Sequence, residues 1–177
     1  VIVDEATLRD LEGGVGLAKS LVGLIATLQV GQRVTFITVG DPASRLGPFG
    51  GGSPDLETIQ EQIESRIAGS DRSRRGVLAE PLSEAYGLLE DSGTPSGSQV
   101  YLVLGTSAEA EFGRITTQLS PLVGLFRSKG WPINGVSIPG SPQSSRDFLG
   151  QLSASTGGQL FELSVPGGLK QIADALL

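Results

Sequence analysis

Residues 148–161 read Phe-Leu-Gly-Gln-Leu-Ser-Ala-Ser-Thr-Gly-Gly-Gln-Leu-Phe, and this stretch decides the fold class. Its first part continues a helical pattern that spans Ser145 to Ser155. The pair Gly157-Gly158 then stops the helix at a point where a positive φ is needed, and Gln159 to Leu163 reads as a strand. A helix delivered into a strand through two glycines is half of an α/β alternation. The same alternation continues in both directions along the chain.

Upstream lie four more short apolar runs: Val1 to Asp4, Val34 to Val39, Val100 to Leu104 and Ile133 to Ile138. Their nearly continuous apolar character suits strands covered on both faces. Between them run helical periodicities. From about Gly14 to Gln29, Leu17, Leu21, Leu24 and Leu28 form one row and Ala18, Val22 and Ile25 the adjacent row, a single broad apolar stripe at about 100° per residue. Leu56, Ile59, Ile63 and Ile67 repeat the pattern. So do Leu78, Leu82, Ala85 and Leu89, and then Ile115, Leu119, Leu122 and Phe126. Downstream of the deciding stretch, Gly168 to Leu177 reads as a last helix. Gly and Pro concentrate in Asp41 to Pro54 and Asp91 to Ser98, read as surface loops, with a short edge strand within Ala43 to Phe49. The expected fold is therefore α/β: a doubly wound, mostly parallel central sheet with helices on both faces, a Rossmann-like three-layer domain.

The chain has 177 residues and 38% hydrophobic content, with a mean hydropathy of +0.08. Residues 1–177 are read as one domain. With no Met, and with its first residues already in a strand pattern, the sequence reads as a domain cut from a longer chain. No run approaches the roughly 18 apolar residues of a membrane helix, so no membrane insertion by this domain is expected. A net charge of −6 argues against a nucleic-acid surface, which requires a basic face. The basic cluster Arg66, Arg72, Arg74 and Arg75 lies in a Ser/Gly/Asp-containing stretch and reads as a solvated loop, with a grip on a phosphate or carboxylate as the alternative. There is no Cys and no His. That removes thiolate and imidazole metal sites together with Ser-His-Asp and Cys-His catalysis, and the chain is not expected to be an enzyme.

In doubly wound folds ligands bind beyond the carboxyl ends of the strands. The residues there are Asp4-Glu-Ala-Thr-Leu-Arg-Asp10 after the first strand and Gly105-Thr106-Ser107 after the central one. Carboxylate and hydroxyl oxygens suit a hard cation such as Mg²⁺ or Ca²⁺, and one Asp with hydroxyls would hold it weakly. The bland reading is that Asp4 caps backbone N–H groups in the turn, and that Thr106 and Ser107 bond locally. Trp131, before Pro132, reads as a packing anchor, with a partner hot spot as the alternative.

The layout resembles the von Willebrand factor type A (VWA) family over almost the whole chain. The resemblance is carried by the opening Val-Ile-Val-Asp, the Leu-Ala-Lys helix, Gly-Gln-Arg-Val-Thr-Phe-Ile-Thr-Val at 31–39, Val-Tyr-Leu-Val-Leu at 100–104, and residues 148–161 with their Thr-Gly-Gly. It implies an adhesion-type protein-binding module. The family's ion site uses Asp-x-Ser-x-Ser after the first strand, a Thr opening a middle helix, and an Asp after the central strand. Here Asp4 matches the first Asp, but Ala6 and Leu8 stand at the Ser positions, Gly76 near the Thr, and Thr106 in place of the second Asp. The resemblance thus implies a degenerate site. No metal or other cofactor is expected; the alternative is Mg²⁺ held weakly by Asp4, Thr7 and Thr106. Partner recognition is assigned to the loops Asp4 to Asp10, Gly40 to Gly52, Arg72 to Gly76 and Gly105 to Glu111, Ser107 included.

A competing reading rests on Gly13-Gly-Val-Gly-Leu-Ala-Lys-Ser20, which resembles the phosphate loop Gly-x-x-x-x-Gly-Lys-Ser with Ala18 for the second Gly. Such a loop must run from strand to helix with its N–H groups wrapped around phosphate. Glu5 to Glu12 intervene here, and Leu17 and Ala18 already belong to the apolar stripe. A third reading is a purely structural domain of a larger assembly.

Overall fold

The computed structural model describes residues 1–4, 15–39, 44–51, 55–69, 78–91, 93, 98–105 and 112–163. In chain order these form β1 (Ile2–Asp4), α1 (Val15–Thr27), β2 (Arg33–Val39), β3 (Ser44–Gly50), α2 (Leu56–Gly69), α3 (Ala79–Asp91), β4 (Val100–Leu104), α4 (Phe112–Lys129), β5 (Ile133–Ser137), α5 (Gln143–Thr156) and β6 (Leu160–Glu162). The six strands form one sheet in the order β3-β2-β1-β4-β5-β6. All neighbours are parallel except β2 and β3. The helix expected at Gly168 to Leu177 lies outside the described residues.

Successive strand side chains point to opposite faces, and the core divides accordingly. On one face Val3, Phe36, Val103 and Val136 pack with Leu21 and Ile25 of α1 and Ile59 and Ile63 of α2. On the other, Ile2, Ile37, Leu102 and Ile133 pack with Leu82 and Ala85 of α3, Leu119 and Phe126 of α4, and Phe148, Leu149 and Leu152 of α5. The apolar stripes read in the sequence thus bury against both sides of the sheet, and the three-layer α/β expectation holds.

Within the stretch Asp41 to Pro54 the expected edge strand is present. β3 occupies the middle of that stretch and runs antiparallel to β2, pairing Arg33 with Gly50 and Thr38 with Ser44. The hairpin carries the chain back to the opposite edge, where Gly51 donates its N–H to the Gln32 carbonyl at 3.0 Å. Of the expected recognition loop Gly40 to Gly52, Ser44 lies beside Thr38 near the carboxyl end of β2, whereas Gly51 sits at the amino edge. Pro48 in β3 removes one N–H from this edge strand, which discourages pairing with another chain.

The Thr-Gly-Gly stretch has a structural explanation. The Ile133 N–H donates to the Thr156 hydroxyl oxygen at 2.9 Å, and that hydroxyl is 3.1 Å from the Ser153 carbonyl. Gly157 ends α5 in the left-handed region at φ 79°. Gly158 donates its N–H to the Ser153 carbonyl at 2.8 Å, completing a Schellman-type stop. Thr156 is therefore a polar bolt between α5 and the start of β5. Thr156→Val, which leaves the Ile133 N–H buried without an acceptor, is expected to cost about 2 kcal/mol of unfolding free energy. Thr156→Ser should retain most of it. Urea denaturation of the two variants checks this, and equal losses would show that the hydroxyl does not matter.

Candidate functional site at the carboxyl edge

The direction of winding reverses between β1 and β4. From β1 the chain crosses to β2 through α1 on one face of the sheet, and from β4 to β5 through α4 on the other. Ile2 pairs with Leu102 and Val3 with Val103, so Asp4 and Leu104 end the two adjacent strands at the same level. This is the topological switch point, where crevices open in doubly wound sheets.

Asp4 stands at that point and is only 7% exposed. Ala6, Thr7, Leu8, Gly76, Thr106 and Ser107 lie outside the described residues, as do Arg72, Arg74 and Arg75. The structure therefore places one of the expected site residues, Asp4, together with Gly105 at the point where the Thr106-Ser107 loop begins. Arg66 lies on α2 and not in a loop, so the basic cluster is split between a helix and the following segment. Among the described residues, no group of three or more His, Cys, Asp or Glu is arranged to hold a metal ion.

The sequence reading missed a third part of this edge, the junction of β5 and α5. The Ser141 N–H donates to the Ile138 carbonyl at 3.1 Å, closing a turn in which Pro139 precedes Gly140 at φ 81°. That is a type II turn, with Pro at the second position and the positive-φ residue at the third. The signal was present as Pro-Gly directly after an apolar run. The turn feeds α5, whose N-cap is Pro142, with no side-chain cap and no acidic residue in the first turn. Ser145 is completely buried, and its hydroxyl donates to the Gly105 carbonyl at 3.3 Å. The α5 start is thereby attached to the end of β4. Arg146 reaches toward Glu162 of β6, with Nη1 4.0 Å from Oε1. Among the described residues, the buried polar side-chain atoms without a hydrogen-bond partner are the Ser141 hydroxyl and Arg146 Nε. Both belong to this junction.

The amino edge is occupied by packing. Trp131 is 8% exposed and meets Tyr86 edge-on at 5.5 Å, while Lys129 Nζ lies 5.7 Å from its ring centre. It is a packing anchor. The Glu90 carboxylate accepts from Lys129 at 3.1 Å and holds the ammonium above its ordinary pKa. Nearby, the Gln99 amide oxygen accepts from both the Tyr101 hydroxyl and Asn134, each at 2.8 Å. Burial pushes the Tyr101 phenol well above its ordinary pKa, so it stays neutral at physiological pH and donates.

No protein-family model matches the chain, and no curated protein matches its sequence. Solved structures do match. A von Willebrand factor type A protein from Catenulispora acidiphila superposes with a TM-score of 0.70 at 11% identity, over 99% of this chain and 40% of that one. The fold is that of a VWA domain. The N-terminal domain of TFIIH p34 shares it, with a TM-score of 0.63 and 18% identity over 97% of this chain and 93% of that one. So does an aerotolerance-related membrane protein from Bacteroides fragilis, with a TM-score of 0.59 and 12% identity over 98% and 94%. In this VWA fold Asp4 ends β1, where the sequence resemblance placed the first acidic residue, and residues 148–161 form the helix, stop and final strand expected of them.

The phosphate-loop reading meets an obstacle in the same fold. Val15 to Ser20 are already α-helical, whereas a phosphate cradle needs several of those residues as a loop ahead of the helix. Lys19 lies exposed on the side of α1. Among the described residues, no helix is long and apolar enough to cross a membrane.

Proposed function

We propose that this domain is a protein-binding module, not an enzyme, that recognises its partner with the carboxyl-edge loops without a metal ion. The observation carrying the reading is the switch point itself. β1 and β4 are adjacent and end at one level, which brings Asp4 and the end of β4 to the same edge, on a fold shared with TFIIH p34 and VWA proteins. The rest of the surface comprises residues 40–43, residues 72–76 and the Pro139-to-Arg146 junction. Catalysis has little to work with, since imidazole and thiol groups are absent from the whole chain. Metal independence is supported by Ala6 and Leu8 at positions where the resemblance implies hydroxyl ligands, and by Thr106 where it implies a carboxylate, because ligand number and charge set affinity for hard cations.

Thermal unfolding in EDTA, Mg²⁺, Mn²⁺, Ca²⁺ and Mg-ATP is expected to give one melting temperature throughout. A site filled at 100 times its dissociation constant would add about 2.7 kcal/mol, a rise of roughly 5–10 °C for a domain of this size. A rise with metal that disappears in Asp4→Ala would overturn metal independence. A rise with Mg-ATP that disappears in Lys19→Ala would replace the reading with nucleotide binding. For recognition itself, a partner captured by cross-linking should lose affinity when the carboxyl edge is altered by Arg146→Glu and keep it when the amino edge is altered by Lys129→Glu. The reverse pattern would remove the carboxyl edge from the function.

A further inference from the structure

α5 is pinned to the backbone of the sheet by three buried hydroxyls. At its start, Ser145 donates to the Gly105 carbonyl at 3.3 Å. Near its end, the Ser153 hydroxyl oxygen accepts from the Gly135 N–H at 2.8 Å, and that of Thr156 accepts from the Ile133 N–H at 2.9 Å. All three side chains are 6% exposed or less. Eleven residues separate the outer two, about 16 Å of helix. The helix also lies against β5 with no slack, because a Cβ on Gly135 would come within 2.8 Å of the Leu149 Cβ.

These attachments differ in what they hold. Ser153 and Thr156 bind β5, the strand on which α5 packs. Ser145 reaches past it to β4, at the residue from which the Thr106-Ser107 segment departs. α5, fixed at the amino edge, thus also holds the residue that follows β4 at the carboxyl edge, beside the ladder that pairs Leu104 with Ser137. An axial slip of α5 would break Ser145 from Gly105 and would also have to break the Ser153 and Thr156 bonds.

We infer that Ser145 is a positioning residue for the recognition surface: its hydroxyl latches Gly105, at the carboxyl end of β4, to a helix anchored at the opposite edge. The role rests on the proposed function, since it matters only if that edge meets a partner. The latch itself is physical and can be tested without one.

The experiment is backbone NMR and native-state amide exchange on the domain and on Ser145→Ala, Ser145→Cys and Ser153→Ala. In Ser145→Ala, the Gly105 carbonyl carbon should shift as it loses a hydrogen bond. Exchange at Leu104 and Gly105 should quicken by about fivefold, as expected for one lost buried hydrogen bond, while Ile133 and Gly135 keep the parent rates. Ser145→Cys, which retains a weak donor, should show a smaller change of the same kind and keeps the test available if the alanine variant folds poorly. Ser153→Ala should move Gly135 and spare Gly105. An unchanged Gly105 resonance, or a uniform acceleration across the sheet, would overturn the latch. Partner affinity separates the two ideas: if the latch signature is present but Arg146→Glu leaves binding intact, the recognition reading fails and the latch stands.

Discussion

Replacing Gly158 with alanine is expected to lower the unfolding free energy by about 3 kcal/mol or more, among the larger effects of any single methyl group. A Cβ built there lies 2.1 Å from the Ile133 carbonyl oxygen and 2.7 Å from its carbon. Both are backbone atoms of a central strand. Ile133 is completely buried, and its neighbour Pro132 accepts from Val100 at 3.0 Å, so relief requires moving β5 against β4 or pushing the α5-to-β6 turn outward. The adjacent Gly157 is the internal control. Its φ is +79°, but a Cβ there would meet nothing within 4 Å, so Gly157→Ala carries only the left-handed penalty of about 1–2 kcal/mol. At roughly 2–4 °C per kcal/mol for a domain of this size, Gly158→Ala should melt well below Gly157→Ala. Equal melting temperatures would mean that the second glycine serves backbone freedom and not close approach.

Gly135→Ala should be nearly as damaging, at about 3 kcal/mol. The added carbon would stand 2.8 Å from the Leu149 Cβ, 3.1 Å from the Ser153 hydroxyl and 3.2 Å from the Leu149 carbonyl. The contact is with the root of the leucine, not its tip. Leu149→Ala keeps that Cβ and so should give no rescue; the double variant should be less stable than either single one, because a cavity is added to an undiminished clash. Chemical denaturation of the three variants decides the matter. If Leu149→Ala restores stability, the helix is held off β5 by its outer side-chain atoms and α5 has freedom to slide. That result would also weaken the argument for Ser145, which depends on a helix with fixed register.

Asn134, beside that glycine, shows why this region tolerates so little. Its side-chain oxygen accepts from the Gln159 N–H at 2.9 Å and its amide donates to Gln99, so one buried residue joins β4, β5 and the entry to β6. A residue of this type in a short apolar run gives no warning of such a role. Its partners come from segments 35 and 25 residues away.

Much of the fold was legible because it depends on local periodicity. Leu21 and Ile25, read as one stripe, are buried on α1, and the run Val100 to Leu104 is β4 residue for residue. The Gly-Gly stop after Thr156 was readable because a positive φ has a residue signature. The edge strand β3 was only half visible, since Gly47 and Pro48 speak for a turn, and the pairing with β2 that makes a strand of it is an interaction between segments.

The candidate site divides the same way. Order along the chain was enough to place Asp4 and Gly105 after strands and, through the family resemblance, at one edge. The chain's chemistry alone removed imidazole and thiol catalysis. Three things were decided by tertiary structure: the level at which β1 and β4 end together, the return of Gly51 to the far edge, and the attachment of Ser145 to a carbonyl 40 residues away. Each is a relation between segments that meet only after the sheet has assembled. Periodicity records which face of an element is apolar, but a hydroxyl such as that of Ser145 carries no mark of the backbone atom it will meet, because its partner is chosen by the packing of the helix and not by its neighbours in sequence.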